Sequence, residues 1–166
     1  MILKEMFETQ KKLDEHINKN HKIKNNTIIK KTVSLIVELS ECANEIRFFK
    51  FWSNKGPSSK EVILEEYVDV IHFALSIANS LNSEYIFNRD YVNRLDYLSL
   101  ELIFLDIINT TTELYNIKEK GLIENKFIEL LEKILGFGSI WFSFKEIETA
   151  YYKKNAINHN RQNNGY

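Results

Sequence analysis

The sequence predicts an all-α fold, an antiparallel helical bundle with a four-helix core and additional helices, in a single domain over residues 1–166. One proline and five glycines are too few breakers for an all-β domain of this length. Most apolar residues recur at spacings of three and four, the period of helices that bury one face. The polar interruptions are short, which suits antiparallel neighbours joined end to end.

The first helix is expected from about Leu3 to Asn18, with Leu3, Phe7, Gln10, Leu13, Asp14 and Ile17 on or near one stripe and Asn18-Lys19-Asn20-His21 as its exit. A second runs from Thr27 to Trp52 and stops at Ser53-Asn54-Lys55-Gly56-Pro57, the clearest loop signal in the chain. Ser58 and Glu61 form a capping box for a third helix that continues to Leu81, with Asn82 and Ser83 beyond it. A fourth is read from Arg89 to Lys118 and a fifth from Glu124 to Lys154, parted by Lys120-Gly121. Gly136 and Gly138 weaken the fifth and allow close packing or a kink. From Asn155 to Tyr166 the composition turns to asparagine, arginine and glutamine, which reads as a loop or tail. A chain ending at Gly165-Tyr166 reads as complete.

With 44% hydrophobic and 13% aromatic residues the chain can fill one core without staples. Its 22 basic and 23 acidic residues are interleaved, which argues against duplex nucleic acid as a partner. Cys42 is the single cysteine, so neither a disulfide framework nor a cysteine zinc site can be drawn, and a reducing, cytoplasmic setting is expected. Lys4 and Glu5 follow the first three residues at once, so no signal peptide is expected, and no apolar run approaches the roughly 18 residues that span a bilayer.

Chemistry concentrates in the acids. Glu38, Glu41 and Glu45 fall at spacings of three and four and line one side of the second helix, among the small residues Ser40, Cys42 and Ala43. In the third helix Glu65 or Glu66 shares a face with Asp69, and His72 follows. Taken singly, each Glu reads as a solvated face paired with Lys30, Lys31, Lys50 or Lys60. Taken together, two acidic faces inside apolar helices repel unless a cation neutralises them. Hard oxygen donors favour magnesium, with manganese as a substitute.

The string Glu38-Leu-Ser-Glu41-Cys-Ala-Asn44-Glu45-Ile-Arg-Phe-Phe-Lys50-Phe-Trp52-Ser, then Leu64-Glu-Glu66-Tyr-Val-Asp69-Val-Ile-His72-Phe, resembles the dimeric all-α dUTPases, relatives of the MazG-like pyrophosphatases. The closing Tyr152-Lys-Lys-Asn155-Ala-Ile-Asn158-His-Asn-Arg161-Gln162-Asn-Asn-Gly165-Tyr166 looks like that family's phosphate-binding motif. The resemblance implies a homodimer with pockets shaped by both subunits, and a deoxyuridine nucleotide as substrate. It implies Glu38, Glu41, Glu66 and Asp69 as magnesium ligands, with Glu38 or Glu41 as general base. The substrate-binding residues it implies are Gln10, Asp14, Lys50, Trp52, His72, Lys153 or Lys154, Asn155, Asn158, Arg161 and Tyr166. Asp14 stands where some members have asparagine, and family spacing favours Glu66 over Glu65.

The expected reaction is hydrolysis of dUTP to dUMP and pyrophosphate by magnesium-activated water, with the cationic C-terminal segment meeting phosphate. Alternatives are a MazG-like pyrophosphatase acting on dCTP or another nucleotide, and a non-catalytic phage protein that uses the same fold to bind a regulatory protein partner. A ferritin-like di-iron bundle wants two Glu-x-x-His motifs, and the chain offers only Asp69-x-x-His72.

Overall fold

A computed structural model of the chain describes residues 3–97 and 99–165. Among these the fold is all-helical: α1 (Lys4–Asn20), α2 (Ile28–Ile46), α3 (Lys60–Leu81), α4 (Glu84–Phe87), α5 (Leu100–Asn116), α6 (Lys120–Ser139) and α7 (Phe144–Asn163). Helix α3 is apolar on nearly every side and sits at the centre, packed against α1, α2, α6 and α7. α2 runs antiparallel to α3, as the contacts of Glu38 with Asp69 and of Cys42 with Ile63 require. α5 and α6 form a second antiparallel pair, and the two pairs make the four-helix core. α1 and α7 lie together on α3, with Tyr151 meeting Met6 and His159 meeting His16.

Several boundaries differ from the sequence reading, each for a local reason. α2 stops at Ile46 rather than Trp52 because Arg47 turns into the left-handed region at φ 67°, and its guanidinium then donates to Ser53 Oγ at 2.7 Å and Lys55 O at 3.1 Å. The apolar run through Phe48 and Phe49 hides this exit. The fourth helix begins at Leu100 rather than Arg89, capped by Ser99, whose Oγ accepts from Leu102 N. The segment before it lies along α6, where Arg94 N donates to Glu132 O at 3.0 Å. The expected fifth helix is two helices. Ser143 and Glu146 form a reciprocal capping box that starts α7, a Ser-x-x-Glu signal present in the sequence but passed over. At α3 the capping residue is Ser59, without a side-chain cap bond, so the Ser58–Glu61 box is not formed.

A further correction concerns the C-terminus. Residues Asn155 to Asn163 are helical, continuing α7 as one rod rather than a loop. Its buried stripe is Ile147, Tyr151 and Asn155, spaced by four, and beyond it Gln162 O accepts from Asn20 Nδ2 at 2.9 Å.

Gly136 and Gly138 serve close packing. A Cβ on Gly136 would stand 1.9 Å from the carbonyl oxygen of Arg94, and one on Gly138 would stand 2.2 Å from the Tyr67 ring. Tyr67 is buried and donates its hydroxyl to Ile134 O at 3.0 Å, so the ring is held against α6 by a bond it cannot exchange for water. Gly138→Ala should therefore destabilise the fold by about 1–3 kcal/mol through overpacking. Urea unfolding that shows an unchanged midpoint would contradict this packing.

Candidate functional site

The α2–α3 crossing decides where the acids go. Both helices bury their apolar faces in the core, so Glu38 from α2 and Glu66 and Asp69 from α3 are left at the shared edge. One carboxylate oxygen from each lies within 4.8 Å of those of the other two. Burial pushes Glu38 up to about 7, with the charges of Asp69, Glu41 and Glu66 adding to it. Burial also raises Glu66, and Asp69 and Glu41 reinforce the shift. These three groups are hard donors crowded in a way that a divalent cation would relieve.

The remaining acids take different places. Glu41 is exposed and stands beside the trio, close enough to act on the charges of Glu38 and Glu66. Glu45 accepts from the Ser58 hydroxyl and so ties α2 to the start of α3. Glu65 points to α7, where Lys154 Nζ reaches it at 3.1 Å and Asp69 Oδ2 at 2.7 Å. Lys153, its neighbour, is exposed.

Asp69 also lines a cavity of about 270 Å³ between α1, α2, α3 and α7, close to the lower bound of roughly 300 Å³ for small-molecule sites. Gln10 and Asp14 form one wall, His72 and Ser76 another, and Asn158 closes it from α7. The polar groups interlock. Gln10 Nε2 donates to Asp14 Oδ1 at 3.0 Å, Ser76 Oγ donates to the same oxygen at 2.8 Å, and Lys31 Nζ lies 3.5 Å from Oδ2. Because a carboxylate only accepts, the Gln10 amide nitrogen must face it, and Gln10 Oε1 is left to accept from His72 Nδ1 at 2.7 Å and Tyr151 at 3.2 Å. His72 therefore carries its hydrogen on Nδ1, and Nε2 is a lone-pair acceptor without a protein partner.

Sequence reasoning missed three members of this network. In the sequence Lys31 reads as a surface counter-charge, yet it donates to Ser76 O at 3.0 Å and Ser80 Oγ at 2.8 Å. Ser76 follows His72 by four residues, a spacing that could have found it. Tyr151 stacks on His72 with centroids 4.4 Å apart, which no local pattern announces.

On α7, Asn155 is buried with Nδ2 unpartnered, and Arg161 Nη1 donates to Asn158 Oδ1 at 3.4 Å. Lys50 and Trp52 are not brought to the cavity within one chain: they lie on the Arg47–Ser53 turn at the other end of α2, with Trp52 exposed and the Lys50 ammonium on Asn44. Tyr166 lies outside the described residues.

A family model described as dUTPase matches residues 2–166, which takes in both acidic helices, the cavity and all of α7. The chain belongs to the dUTPase family. That membership supports a dUTPase or nucleotide pyrophosphatase function for the chain. Among curated proteins none matches the chain.

In this dUTPase family member His72 sets an acid limb of stability. Burial, aided by the positive charge of Lys154, lowers its pKa to about 3, against an ordinary histidine value near 6.5. The unfolded chain thus binds a proton that the native state refuses, and stability is full above pH 6.5 and declines as pH falls toward 3, by at most about 1.4 kcal/mol per pH unit. Glu38 acts in the opposite sense, costing stability as pH rises from 4.5 to about 7, because the unfolded carboxyl ionises first. Thermal melts from pH 4 to 8 should show a shallower acid limb in His72→Gln and a higher melting temperature at pH 7.5 in Glu38→Gln. Curves parallel to wild type would contradict these assignments.

Proposed function

We propose that the chain hydrolyses dUTP to dUMP and pyrophosphate, with magnesium held by Glu38, Glu41, Glu66 and Asp69. The observation that carries this reading is that Asp69 belongs at once to the acidic trio and to the wall of the polar cavity, so a triphosphate on the acids has its base beside them. Magnesium, when bound, neutralises triphosphate charge and activates water for attack on phosphorus. Manganese offers the same donor preference and geometry.

The chain supplies the rest. Glu38, Glu66 and Asp69, with Glu41 exposed beside them, hold the ion from two helices, and Glu41 also takes the proton from the attacking water. Lys154 and Arg161 meet phosphate oxygens from α7, the first as a point charge and the second as a planar fork. Asn155 and Asn158, on the same helix, contribute amide donors.

Base choice rests on His72. Uracil carries a hydrogen on N3, for which Nε2, unpartnered but buried in the chain as it stands, would offer a lone pair once the base entered beside it, whereas cytosine presents a lone pair there and meets repulsion. Gln10 keeps a second amide hydrogen for a uracil carbonyl, and Asp14 fixes its orientation. A protein built for dCTP would need a donor at this nitrogen.

A homodimer completes the reading. On α2, Ile29, Val33 and Val37 recur every four residues and are 57%, 56% and 46% exposed, and Leu102, Leu105 and Tyr115 of α5 extend this apolar face. Such a row of exposed apolar side chains is costly in water, and a second copy of the same face would cover it. Pairing α2 antiparallel with its copy sets the Trp52 turn of one subunit beside the Thr27–Lys30 rim of the other's cavity. Lys50 and Trp52 then serve the partner's site.

Pyrophosphate release from dUTP, dCTP, dTTP and UTP with magnesium should favour dUTP and fall by about a hundredfold or more in Glu41→Gln and Asp69→Asn. Preference for dCTP would sink the substrate assignment, and no turnover of any nucleotide would leave a binding protein on this scaffold. Val33→Asp should convert a dimer to a monomer in sedimentation and raise KM; a wild-type monomer would remove the shared site.

A further inference from the structure

Lys154 stands where a small cation would stand. Its side chain is 11% exposed, its ammonium lies 2.7 Å from Asp69 Oδ2, and that carboxylate is one of the three whose oxygens converge at the α2–α3 edge. Its second partner, Glu65, lies 3.1 Å away, is 63% exposed and stays outside the converging trio. One ammonium thus bridges an inner acid that a divalent ion needs and an outer acid that it does not.

The two positive charges cannot share Asp69 comfortably. At separations near 4 Å like charges repel strongly when water is partly excluded, and Asp69 is only 18% exposed. Glu65 gives the displaced ammonium somewhere to remain, one helical turn from Asp69 on the solvent side. The long lysine stem allows the swing without moving α7, since the helix is anchored by Tyr151 and Asn155 in the core.

We propose that Lys154 is a resident counter-ion of the acidic trio, exchanged for the divalent metal on loading, with Glu65 as the acid that receives it. The exchange rests on the metal-site reading above and adds to it an order of events. Lys154 occupies Asp69 until the metal arrives, and the metal frees the ammonium for phosphate. Lys154 is in this respect a positioning residue, and Glu65 acts only through it.

Manganese binding in the absence of nucleotide tests this, followed by the electron paramagnetic resonance of free Mn²⁺ at pH 7.5 on the full-length chain. Wild type should bind Mn²⁺ and Asp69→Asn should lose it. Lys154→Met should bind Mn²⁺ more tightly by roughly fivefold, the worth of a partly buried ion pair. Lys153→Met, with the same change of net charge on the exposed side, should leave the affinity within twofold. Glu65→Gln should weaken binding, because the ammonium then has no other acid to take. Metal-free Lys154→Met should also melt below wild type, with the deficit removed by Mn²⁺. If Mn²⁺ binds wild type no better than Asp69→Asn, the metal-site reading falls and the exchange with it. If Asp69→Asn loses the ion while Lys154→Met binds equally or less tightly, the exchange alone is overturned. Should Lys154→Met fail to fold, Glu65→Gln decides: weaker binding supports the exchange and unchanged affinity refutes it.

Discussion

Carboxylates at the edge of an apolar helix pair impose the constraint from which the rest follows. α3 is buried by four neighbours, and the acids it carries can escape the core only along the seam with α2 and toward α7. There they crowd, and their ionisation is opposed by burial and by one another. A fold that keeps such a seam must bring cations to it, and α7 does so with Lys154. The cavity wall, the acid seam and the cationic helix are consequences of one crossing.

The polar cavity obeys a second requirement, that buried hydrogen-bonding groups be satisfied. Asp14 accepts from Gln10, Ser76 and Lys31, which fixes the amide of Gln10 and through it the tautomer of His72. Orientation is passed along the chain of bonds from a surface-accessible charge to a buried ring. Among the described residues, the two buried side-chain polar atoms left without partners, His72 Nε2 and Asn155 Nδ2, belong to residues on the helices that face the site. Unsatisfied groups are costly, and their place here is consistent with a ligand that completes them.

Much of this was legible in the sequence. The helical period predicts the all-α class, and a spacing of three puts Glu38 with Glu41 and Glu66 with Asp69. Geometry alone left Glu65 and Glu66 open, since both share a face with Asp69; only the crossing with α2 and α7 separates the one near Glu38 from the one near Lys154. The exit of α2 at Arg47 could not be read, because a left-handed turn at a non-glycine residue is held by tertiary bonds to Ser53 and Lys55. The helical state of the last residues was missed for a related reason. Their asparagine-rich composition favours a loop, and packing on α1 overrides it. Tyr151 and Lys31 joined the site through contacts across distant elements, which periodicity does not see.

Because the C-terminal residues form a continuous rod, Lys154 and Arg161 are separated by seven residues of helix, about 10 Å along its axis. The spacing of their Cα atoms is therefore set by the backbone, and only the side chains are left to adjust. An unstructured segment would lose chain entropy each time it wrapped a phosphate, at roughly 1–2 kcal/mol per residue ordered. On the proposed reading, in which these side chains meet phosphate, that loss is already met during folding, and the free energy of association goes to contacts and not to ordering the backbone.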